Sequence, residues 1–252
     1  RLEWMRRRFP YGDEEVGCLK TSLNLIDCFS EIFWPLTQGR PLVIAGAEQA
    51  RDPRQLLALL GEYGVTRLVA VPSLLRALVE GFHDLGQRLG ALTLCMSCGE
   101  PLSWSLAQAF GERMPHCQLI NLYGSTEACA DVSYYVIPRD VARWPAEGRR
   151  GEGFVPIGSV VDGMSLALVD EAGQEVAAGE TGELLVRGPG VARGYLRRPA
   201  LSAERFGLLQ PVGPVLRTGD LARQGAGGAL ELLGRVDQLI KLRGFRIEPG
   251  EI

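Results

Sequence analysis

The sequence has no apolar run of about 18 residues, so it predicts no transmembrane helix, and no signal peptide pattern stands at its start. It also has no lysine-rich run or basic stripe, and its formal net charge of −3 gives no reason to expect a nucleic-acid partner. The short cluster Arg6-Arg7-Arg8 is expected to form the solvent-exposed face of an amphipathic helix. We therefore expect a cytoplasmic protein that binds neither membranes nor nucleic acid.

Histidine is scarce, and the cysteines lack the spacing of a metal site. The two histidines, His83 and His116, are not spaced as a ligand pair, and the six cysteines are scattered. Cys95 and Cys98 have the spacing of half a zinc knuckle or of a redox pair, but no second close pair exists. Several cysteines lie in apolar, strand-like runs, which is typical of reduced thiols in a protein core. The sequence therefore favours packing over metal or redox chemistry for these residues.

The chain has 252 residues, 46% of them hydrophobic, which suits one large domain or two small ones with a substantial core. It begins at Arg1, without a targeting pattern, and ends at Gly250-Glu251-Ile252. We expect it to be a segment of a longer protein.

Up to about residue 150, short apolar runs alternate with helical patterns. Buried strands are predicted at 41–45, 67–71, 92–97 and 118–123, and helices from Pro53 to 64, after Pro72-Ser73, and from Ser103 to about 113. Strands and helices that alternate at this spacing predict an α/β fold with a mostly parallel sheet layered with helices. Residues 1–150 are assigned to this α/β part.

Beyond residue 150, the pattern changes to short strands separated by Gly and Pro. Strands are predicted at 166–169, 182–186 and 229–233, with a turn at 170–173. We therefore expect a smaller β-rich subdomain over 151–235, followed by a short segment over 236–252.

The first motif that carries chemistry is Tyr123-Gly124-Ser125-Thr126-Glu127, at the end of a predicted strand. The carboxyl ends of strands are where ligands bind in open α/β sheets. Backbone N–H groups and a threonine hydroxyl can take phosphate oxygens, and the adjacent carboxylate can hold Mg²⁺ among them. The same residues also suit an ordinary helix start with a capping side chain, so this stretch alone leaves both interpretations open.

In two further motifs, a charged residue directly follows a glycine. The first is Arg217-Thr218-Gly219-Asp220-Leu221, with Asp220 after Gly219, and the second is Gly234-Arg235-Val236-Asp237, with Arg235 after Gly234. An aspartate in a tight turn can accept both hydroxyls of a ribose, and an arginine can reach a sugar or phosphate. Taken singly, each is more commonly a surface turn with a solvated charge. The combination of all three motifs, in this order, decides between these interpretations.

The chain resembles the adenylating superfamily of acyl-CoA synthetases, non-ribosomal peptide synthetase adenylation domains and luciferases, and it is most similar to the amino-acid-activating branch. Besides the three motifs, Gly182-Glu183-Leu184, Gly194-Tyr195, Pro199 and Phe206 match a fourth segment of that family. The resemblance implies an incomplete adenylation-domain core. The family's glycine-rich loop with its lysine, and its C-terminal catalytic lysine, have no counterpart in residues 1–252.

The resemblance also implies site residues. Tyr123 would stack on adenine, Asp220 would bind the ribose and Arg235 would support it, while Thr126 would contact the α-phosphate and Glu127 the Mg²⁺. The expected nucleotide site comprises Gly99, Glu100, Pro101, Asn121, Leu122, Tyr123, Gly124, Ser125, Thr126, Asp220 and Arg235. Thr126 and Glu127 are the expected catalytic residues. Asp237 falls at the family's hinge, so residues 236–252 would be this hinge and the start of a truncated C-terminal domain, and residues 241–246 would begin the loop that faces a thiol substrate.

By the same resemblance, the acid would bind a largely apolar pocket lined by Ile26, Asp27, Ser30, Val69, Met96, Cys98, Leu122, Ala130 and Asp131. Amino-acid-activating relatives have an aspartate five residues before the glutamate that matches Glu31, and Ile26 occupies that position here, with Asp27 next to it. Either Asp27 still contacts a substrate amine, or the substrate is not a standard α-amino acid. For any one of these positions taken alone, plain core packing is the more common interpretation.

The implied activity is AMP-forming activation of a carboxylic acid or amino acid with ATP and Mg²⁺, followed by transfer to a phosphopantetheine thiol of a carrier protein. An acyl- or aryl-CoA synthetase that uses CoA is the alternative within enzymes. A non-catalytic nucleotide-binding remnant is the alternative outside them, and residues 1–252 alone are expected to be inactive.

Overall fold

The computed structural model describes residues 1–209, 213–225, 228–237, 240–242 and 245–247. They form two compact units. The first contains residues 1–121 and 136–155, and the second contains residues 122–135 and the described residues from 156 onward. In the described part of the chain, no helix is both long and apolar enough to cross a membrane.

The first unit is built mainly of helices around short parallel strands. Its helices are α1 (Leu2–Arg8), α2 (Asp27–Leu36), α3 (Ala47–Arg51), α4 (Pro53–Glu62), α5 (Pro72–Gly81), α6 (Leu85–Arg88), α7 (Trp104–Arg113) and α8 (Ala146–Arg149). Its strands are β1 (Gly17–Leu19), β2 (Leu42–Ile44), β3 (Arg67–Ala70), β4 (Leu94–Ser97) and the first half of β5 (Gln118–Ser125).

Strands β3, β4 and β5 pair in parallel, with Leu68 opposite Cys95 and Cys95 opposite Leu119. All residues of β3 and β4 are buried. Continuous apolar runs of this kind are typical of parallel strands that are covered on both faces. The α/β fold class expected from the sequence is confirmed in this unit.

Two of the helices begin at the residues expected from their capping chemistry. Asp52 caps α4 by accepting the backbone N–H of Arg54, and Pro53 occupies the first helical position, where no N–H is required. Ser103 caps α7 in the same way by accepting the N–H of Leu106. These helices pack their leucines and Phe110 inward.

The predicted burial of the strand at 41–45 is wrong. That segment forms β2, which pairs in parallel only with β1 in a two-stranded sheet of the described residues. Ile44 is 67% exposed. An apolar run of this length cannot by itself distinguish an edge strand from a central one, because both favour β-branched residues.

The start of the chain is held by a buried arginine, Arg67. Its guanidinium pairs with Glu15 at 2.5 Å and donates to the carbonyl oxygens of Phe9 and Pro10. It also lies 4.0 Å from the ring centroid of Tyr11 and 4.8 Å from that of Trp34. Hydrogen bonds and cation–π contacts together compensate the desolvation of this charge.

Helix α1 is amphipathic, as the sequence predicted. It buries Trp4 and Met5 and leaves Arg6 and Arg7 at the surface, where both lie within ion-pair distance of Glu3. Exposed pairs of this kind contribute little to stability. The arginine cluster is therefore the solvated face of a helix.

The second unit is mostly antiparallel sheet. Its elements are the end of β5, β6 (Ala130–Val136), β7 (Ser159–Val160), β8 (Ser165–Val169), β9 (Thr181–Arg187), α9 (Pro199–Arg205), β10 (Phe206–Leu209), β11 (Gly213–Gln224), β12 (Leu230–Arg235), β13 (Ile240–Leu242) and β14 (Phe245–Ile247). The main sheet has the order β10-β11-β9-β8, with β12 also paired to β11. The expected β-rich region is thus present.

A hydrophobic core of the second unit includes Tyr123. Its buried members are Tyr123, Ala128, Val132, Ile157, Leu184, Val186, Val191, Leu216 and Ala222. They come from β5, β6, β9 and β11 and from the loops between them. The polar residues described next are therefore mounted on strands that share one apolar core.

Candidate functional site

The turn after β5 presents Thr126 and Glu127. The strand ends at Ser125, a three-residue 3₁₀ turn covers Thr126–Ala128, and β6 begins at Ala130. Cys129 and Ala130 have positive φ angles of 59° and 71°, which residues other than glycine rarely adopt. This reversal leaves Glu127 only 8% exposed although it is charged.

Position 124 requires glycine because the backbone of residues 130 and 131 passes close to it after the turn. A Cβ at this position would lie 1.7 Å from the carbonyl oxygen of Ala130 and 2.6 Å from the Cα of Asp131. Both obstacles are backbone atoms, so no side-chain rotation could relieve the overlap. The glycine of this motif therefore has a packing reason that is independent of any ligand.

The second motif lies where β11 is irregular, between Arg217 and Leu221. Gly219 has a φ of +73°, and its N–H donates to Glu183 at 3.1 Å. Glu183 also accepts from Arg217 at 2.5 Å. The hydroxyl of Thr218 donates to the Leu184 carbonyl oxygen and accepts the Asp220 N–H at 3.0 Å. These bonds fix the backbone of the turn that carries Asp220.

Tyr123, Asp220 and Arg235 meet in one hydrogen-bonded chain. The Tyr123 hydroxyl donates to Oδ2 of Asp220 at 2.5 Å, and Nη1 of Arg235 donates to Oδ1 at 2.5 Å. Asp220 and Arg235 are also opposite each other across β11 and β12. The structure therefore brings together the three residues expected around the adenosine.

Burial raises the pKa of the Tyr123 phenol well above its ordinary value, and the negative charge of Asp220 adds to this effect. The phenol therefore stays protonated at neutral pH and acts as a donor. Burial alone would lower the pKa of Arg235, but the hydrogen bonds and charges of Asp237 and Asp220 outweigh it and raise that pKa. The network thus has a fixed pattern of donors and acceptors near neutral pH.

Asp237 is held by two arginines. Arg235 donates to it through Nε at 2.6 Å and Nη2 at 2.8 Å, and Arg205 donates through Nη2 at 2.8 Å. Arg235 also donates to the carbonyl oxygen of Thr218 at 3.0 Å. Arg235 therefore links Asp220 directly to Asp237, the residue expected at the family's hinge.

Glu127 is contacted by a segment that follows β9. The Tyr195 hydroxyl donates to Oε1 of Glu127 at 2.7 Å, and the Ala192 N–H donates to the Glu127 carbonyl oxygen at 2.8 Å. Sequence reasoning gave Tyr195 no role, although it lies in a matched motif. Glu183, Arg205 and Thr218 were missed in the same way, and the signal that could have found them was their place in those motifs.

Other expected nucleotide-site residues belong to the first unit. Gly99 has a φ of +83° after β4, and Asn121 donates to the Val155 carbonyl oxygen at 3.3 Å. The Glu100 carboxylate accepts the backbone N–H and the hydroxyl of Ser73, at the start of α5. Glu100 therefore has a helix-capping contact in addition to the base-lining role expected for the turn it shares with Pro101.

The expected pocket residues are divided between the two units. Ile26, Asp27, Ser30, Val69, Met96 and Cys98 lie in the first, and Leu122, Ala130 and Asp131 in the second. Within the first, Val69 and Met96 are opposite each other on β3 and β4, and the Ser30 hydroxyl donates to the Asp27 carbonyl oxygen at 2.7 Å. Their role in substrate binding stays a prediction. The side chains of residues 241–246, expected to face a thiol, lie outside the described residues.

Comparison with known proteins decides the family. A sequence model described as "AMP-binding enzyme" matches residues 2–196. The chain belongs to this family. It is 39% identical to enterobactin synthase component F of Escherichia coli strain K12 and 40% identical to the phosphinothricin tripeptide synthetase PhsB of Streptomyces viridochromogenes. All of the chain is matched in both cases, but it spans only 19% and 20% of those relatives.

Solved structures of AMP-binding enzymes have the same fold. An adenylation domain of Vibrio cholerae, AlmE, crystallised with glycyl-adenosine-5'-phosphate, has a TM-score of 0.85 at 26% identity. That match covers 100% of this chain and 46% of AlmE. PA1221, a protein with adenylation and PCP domains, has a TM-score of 0.82 at 30% identity, covering 94% of this chain and 40% of PA1221. The expected fold class and the resemblance to adenylation domains are both confirmed.

In the part of the chain that the structure describes, one carboxylate, that of Glu127, would suit a magnesium nucleotide, and no closed metal cage is present. Among the described residues, no three His, Cys, Asp or Glu side chains lie together as a metal site. Glu127 supplies one carboxylate beside Thr126, and Mg²⁺ is commonly bound by one or two carboxylates together with substrate phosphates. The donor set therefore fits a cation that arrives with ATP rather than one that resides in the protein.

Proposed function

We propose that the protein carrying this chain activates a carboxylic acid or amino acid as an acyl-adenylate. In the first step, a carboxylate oxygen attacks the α-phosphorus of ATP, and the bond from that phosphorus to pyrophosphate breaks. In the second step, a phosphopantetheine thiol attacks the acyl carbon, AMP departs and a thioester forms. Membership of the AMP-binding family supports this proposal.

The observation that carries the proposal is the chain Tyr123–Asp220–Arg235. Each Asp220 oxygen accepts one hydrogen bond from the protein, and a carboxylate has about four lone-pair sites in total. Lone pairs therefore remain for the two hydroxyls of a ribose. Because Tyr123 and Arg235 hold the carboxylate in place, little side-chain freedom is lost when a ribose binds.

Thr126 and Glu127 are proposed to act at the phosphates. The Thr126 hydroxyl can donate to an α-phosphate oxygen, and Glu127 can hold Mg²⁺ that accompanies ATP. When bound, the cation neutralises charge between two anionic reactants. We propose that this chain contributes by positioning. The turn is held by backbone contacts, and it would keep the side chains of Thr126 and Glu127 beside the phosphate oxygens on which negative charge develops.

A carrier protein is the proposed thiol acceptor. The whole chain aligns with relatives that include enterobactin synthase component F and PhsB, and PA1221 contains a PCP domain beside its adenylation domain. An acyl- or aryl-CoA synthetase remains the alternative, and it would use free CoA. Incubation of the adenylate-forming reaction with a holo carrier protein or with CoA distinguishes the two, because only the true acceptor becomes acylated at a kinetically useful rate.

For the substrate, we propose a small to medium carboxylic acid whose pocket is largely apolar. Ile26 occupies the position at which amino-acid-activating relatives have an aspartate, and Asp27 follows it. A panel of α-amino acids and their α-keto and α-hydroxy analogues tests whether an amine is required. Exchange that is seen only with the amino acids would show that the amine is required, and it would support a contact between that amine and Asp27.

The test of the reaction is ATP–pyrophosphate exchange with the protein at its full natural length. Glu127→Ala is expected to abolish acid-dependent exchange while leaving the protein folded. The matched control is Glu175→Ala, which removes an exposed carboxylate paired with Arg187 in the same unit and should leave exchange intact. Near-normal exchange by Glu127→Ala would refute the assignment of Glu127, and nucleotide binding without any exchange in the unaltered protein would favour a non-catalytic binding module.

We propose the cytoplasm as the site of this reaction, because all six cysteines are free thiols and ATP is the expected substrate.

A further inference from the structure

The turn that contains Glu127 is contacted twice by one distant segment. The Ala192 N–H donates to its backbone carbonyl oxygen, and the Tyr195 hydroxyl donates to its carboxylate from 68 positions away in the sequence. One contact locates the backbone and the other locates the side chain. Together they restrain both the place and the direction of the carboxylate.

Local interactions give this turn little support of their own. The 3₁₀ segment Thr126–Ala128 has only three residues, and Ser125 makes no side-chain capping hydrogen bond to it. The left-handed conformations of Cys129 and Ala130 are strained for residues that carry a Cβ atom. A turn of this kind depends on contacts with the surrounding structure, and the 192–195 segment makes two of them.

Tyr195 is itself held firmly. Its backbone N–H donates to the Ser202 hydroxyl at 2.8 Å, and its ring packs edge-on against Phe206, with centroids 5.1 Å apart at an interplanar angle of 73°. Ser202 belongs to α9, and Phe206 begins β10. Tyr195 itself lies in an irregular segment between β9 and α9, but these two contacts anchor it to regular structure, which positions its side chain better than a free loop would.

We infer that Tyr195 is a positioning residue for the magnesium nucleotide, a role that rests on the proposed function of Glu127. A hydroxyl that donates to Oε1 restricts rotation of the carboxylate about its last torsion. It thereby sets the plane in which the carboxylate meets a cation. Residues that hydrogen-bond a metal-binding carboxylate orient it, and their loss commonly lowers metal affinity by 10- to 100-fold.

The experiment compares Tyr195→Phe with the unaltered full-length protein. Binding of α,β-methylene ATP, which cannot be cleaved at the α-phosphorus, is titrated by calorimetry at a series of Mg²⁺ concentrations. Phenylalanine keeps the ring contact with Phe206 but cannot donate. The Mg²⁺ concentration that gives half-maximal binding is expected to rise on the order of 10-fold. Affinity at saturating Mg²⁺ and the unfolding temperature should change little.

Two controls make the result specific. Tyr63→Phe alters a tyrosine that is 53% exposed in the first unit and should leave the Mg²⁺ dependence unchanged. In a Glu127→Gln background, Tyr195→Phe should add no further shift, because its effect passes through the carboxylate. An unchanged Mg²⁺ dependence, an equal loss of binding at every Mg²⁺ concentration, or a shift that persists with Glu127→Gln would each overturn the inference.

The same titration separates this inference from the proposed reaction. If the unaltered protein binds the nucleotide in a Mg²⁺-dependent way but exchanges no pyrophosphate with any acid, the reaction is refuted. A Tyr195→Phe shift in that binding would still support the positioning role.

Discussion

Two cross-strand ion pairs on β11 and β12 differ in burial and in their further partners, and their comparison measures what the Asp220 pair contributes. Asp220 lies opposite Arg235, and Arg223 lies opposite Glu231. The first pair has side chains that are 10% and 15% exposed, and the second has side chains that are 46% and 35% exposed. Because both connect the same strands, a difference in their effect on stability reports on their environment.

Asp220→Ala is expected to lower the free energy of unfolding of the second unit by about 3–5 kcal/mol, the usual cost of breaking a buried pair from one side. Arg235 would keep Asp237 as a partner, but the contacts that Tyr123 and Arg235 now make with Asp220 would be lost. Asp220→Asn should cost only about 1–2 kcal/mol, since it exchanges charged hydrogen bonds for neutral ones. The amide oxygen can accept from Arg235, and the amide N–H₂ can donate to the Tyr123 oxygen.

The suitable assay is hydrogen exchange of peptides that cover β11 and β12, read by mass spectrometry. All four tryptophans lie in the first unit, so tryptophan fluorescence does not report on these strands. Asp220→Ala should accelerate the slowest amides there by about two to nearly four powers of ten, since 1.4 kcal/mol corresponds to a factor of ten. Glu231→Gln should change them less than about tenfold. Equal acceleration by Asp220→Ala and Glu231→Gln, or an Asp220→Asn variant as damaged as Asp220→Ala, would refute this reasoning.

Three further predictions concern the rest of the chain. Gly124→Ala should prevent correct folding of the second unit, because its Cβ would meet a backbone oxygen at 1.7 Å, whereas Gly207→Ala, with no atom within 4 Å, should leave the unfolding temperature within a few degrees. Burial would raise the pKa of Glu15, but the hydrogen bonds and charge of Arg67 lower it below its ordinary 4.5. The stabilisation of the fold by the ionised Glu15 carboxylate is therefore present above pH 4.5, and it is lost as the pH falls through the lower pKa of the folded protein. Acid unfolding followed by tryptophan fluorescence should show this loss, and the dependence of stability on pH should be weaker in Arg67→Leu. An unaltered acid profile in that variant would contradict the pairing. Ellman's reagent should label Cys129 rapidly in the native protein and the other five cysteines only in denaturant, because Cys129 is exposed and the others are buried.

Features whose causes are local could be predicted from the sequence. Helices α4 and α7 begin at Asp52-Pro53 and Ser103 because capping depends on residues only two or three positions apart. Strand β6, in contrast, was not predicted. The reversal before it has positive φ at Cys129 and Ala130, and neither residue is one of the glycines or asparagines that normally mark such a conformation. The turn is imposed by packing around Gly124, which a local pattern does not reveal.

The site shows the same division between local identity and distant partners. Tyr123 and Asp220 were both predicted, since the combination of their motifs is recognisable in the sequence, yet their hydrogen bond joins positions 97 residues apart. What could not be predicted is that the Asp220 carboxylate is already held on both oxygens by the protein before any nucleotide binds. A tyrosine expected only to stack on a base is thereby also a donor to the carboxylate that we propose as the ribose acceptor. It follows that Tyr123→Phe, which keeps the aromatic face and removes only the hydroxyl, should weaken AMP binding measured by calorimetry on the order of 10-fold, the effect of losing one hydrogen bond to a charged group. Unchanged affinity in that variant would mean that Arg235 alone is sufficient to hold Asp220 in place.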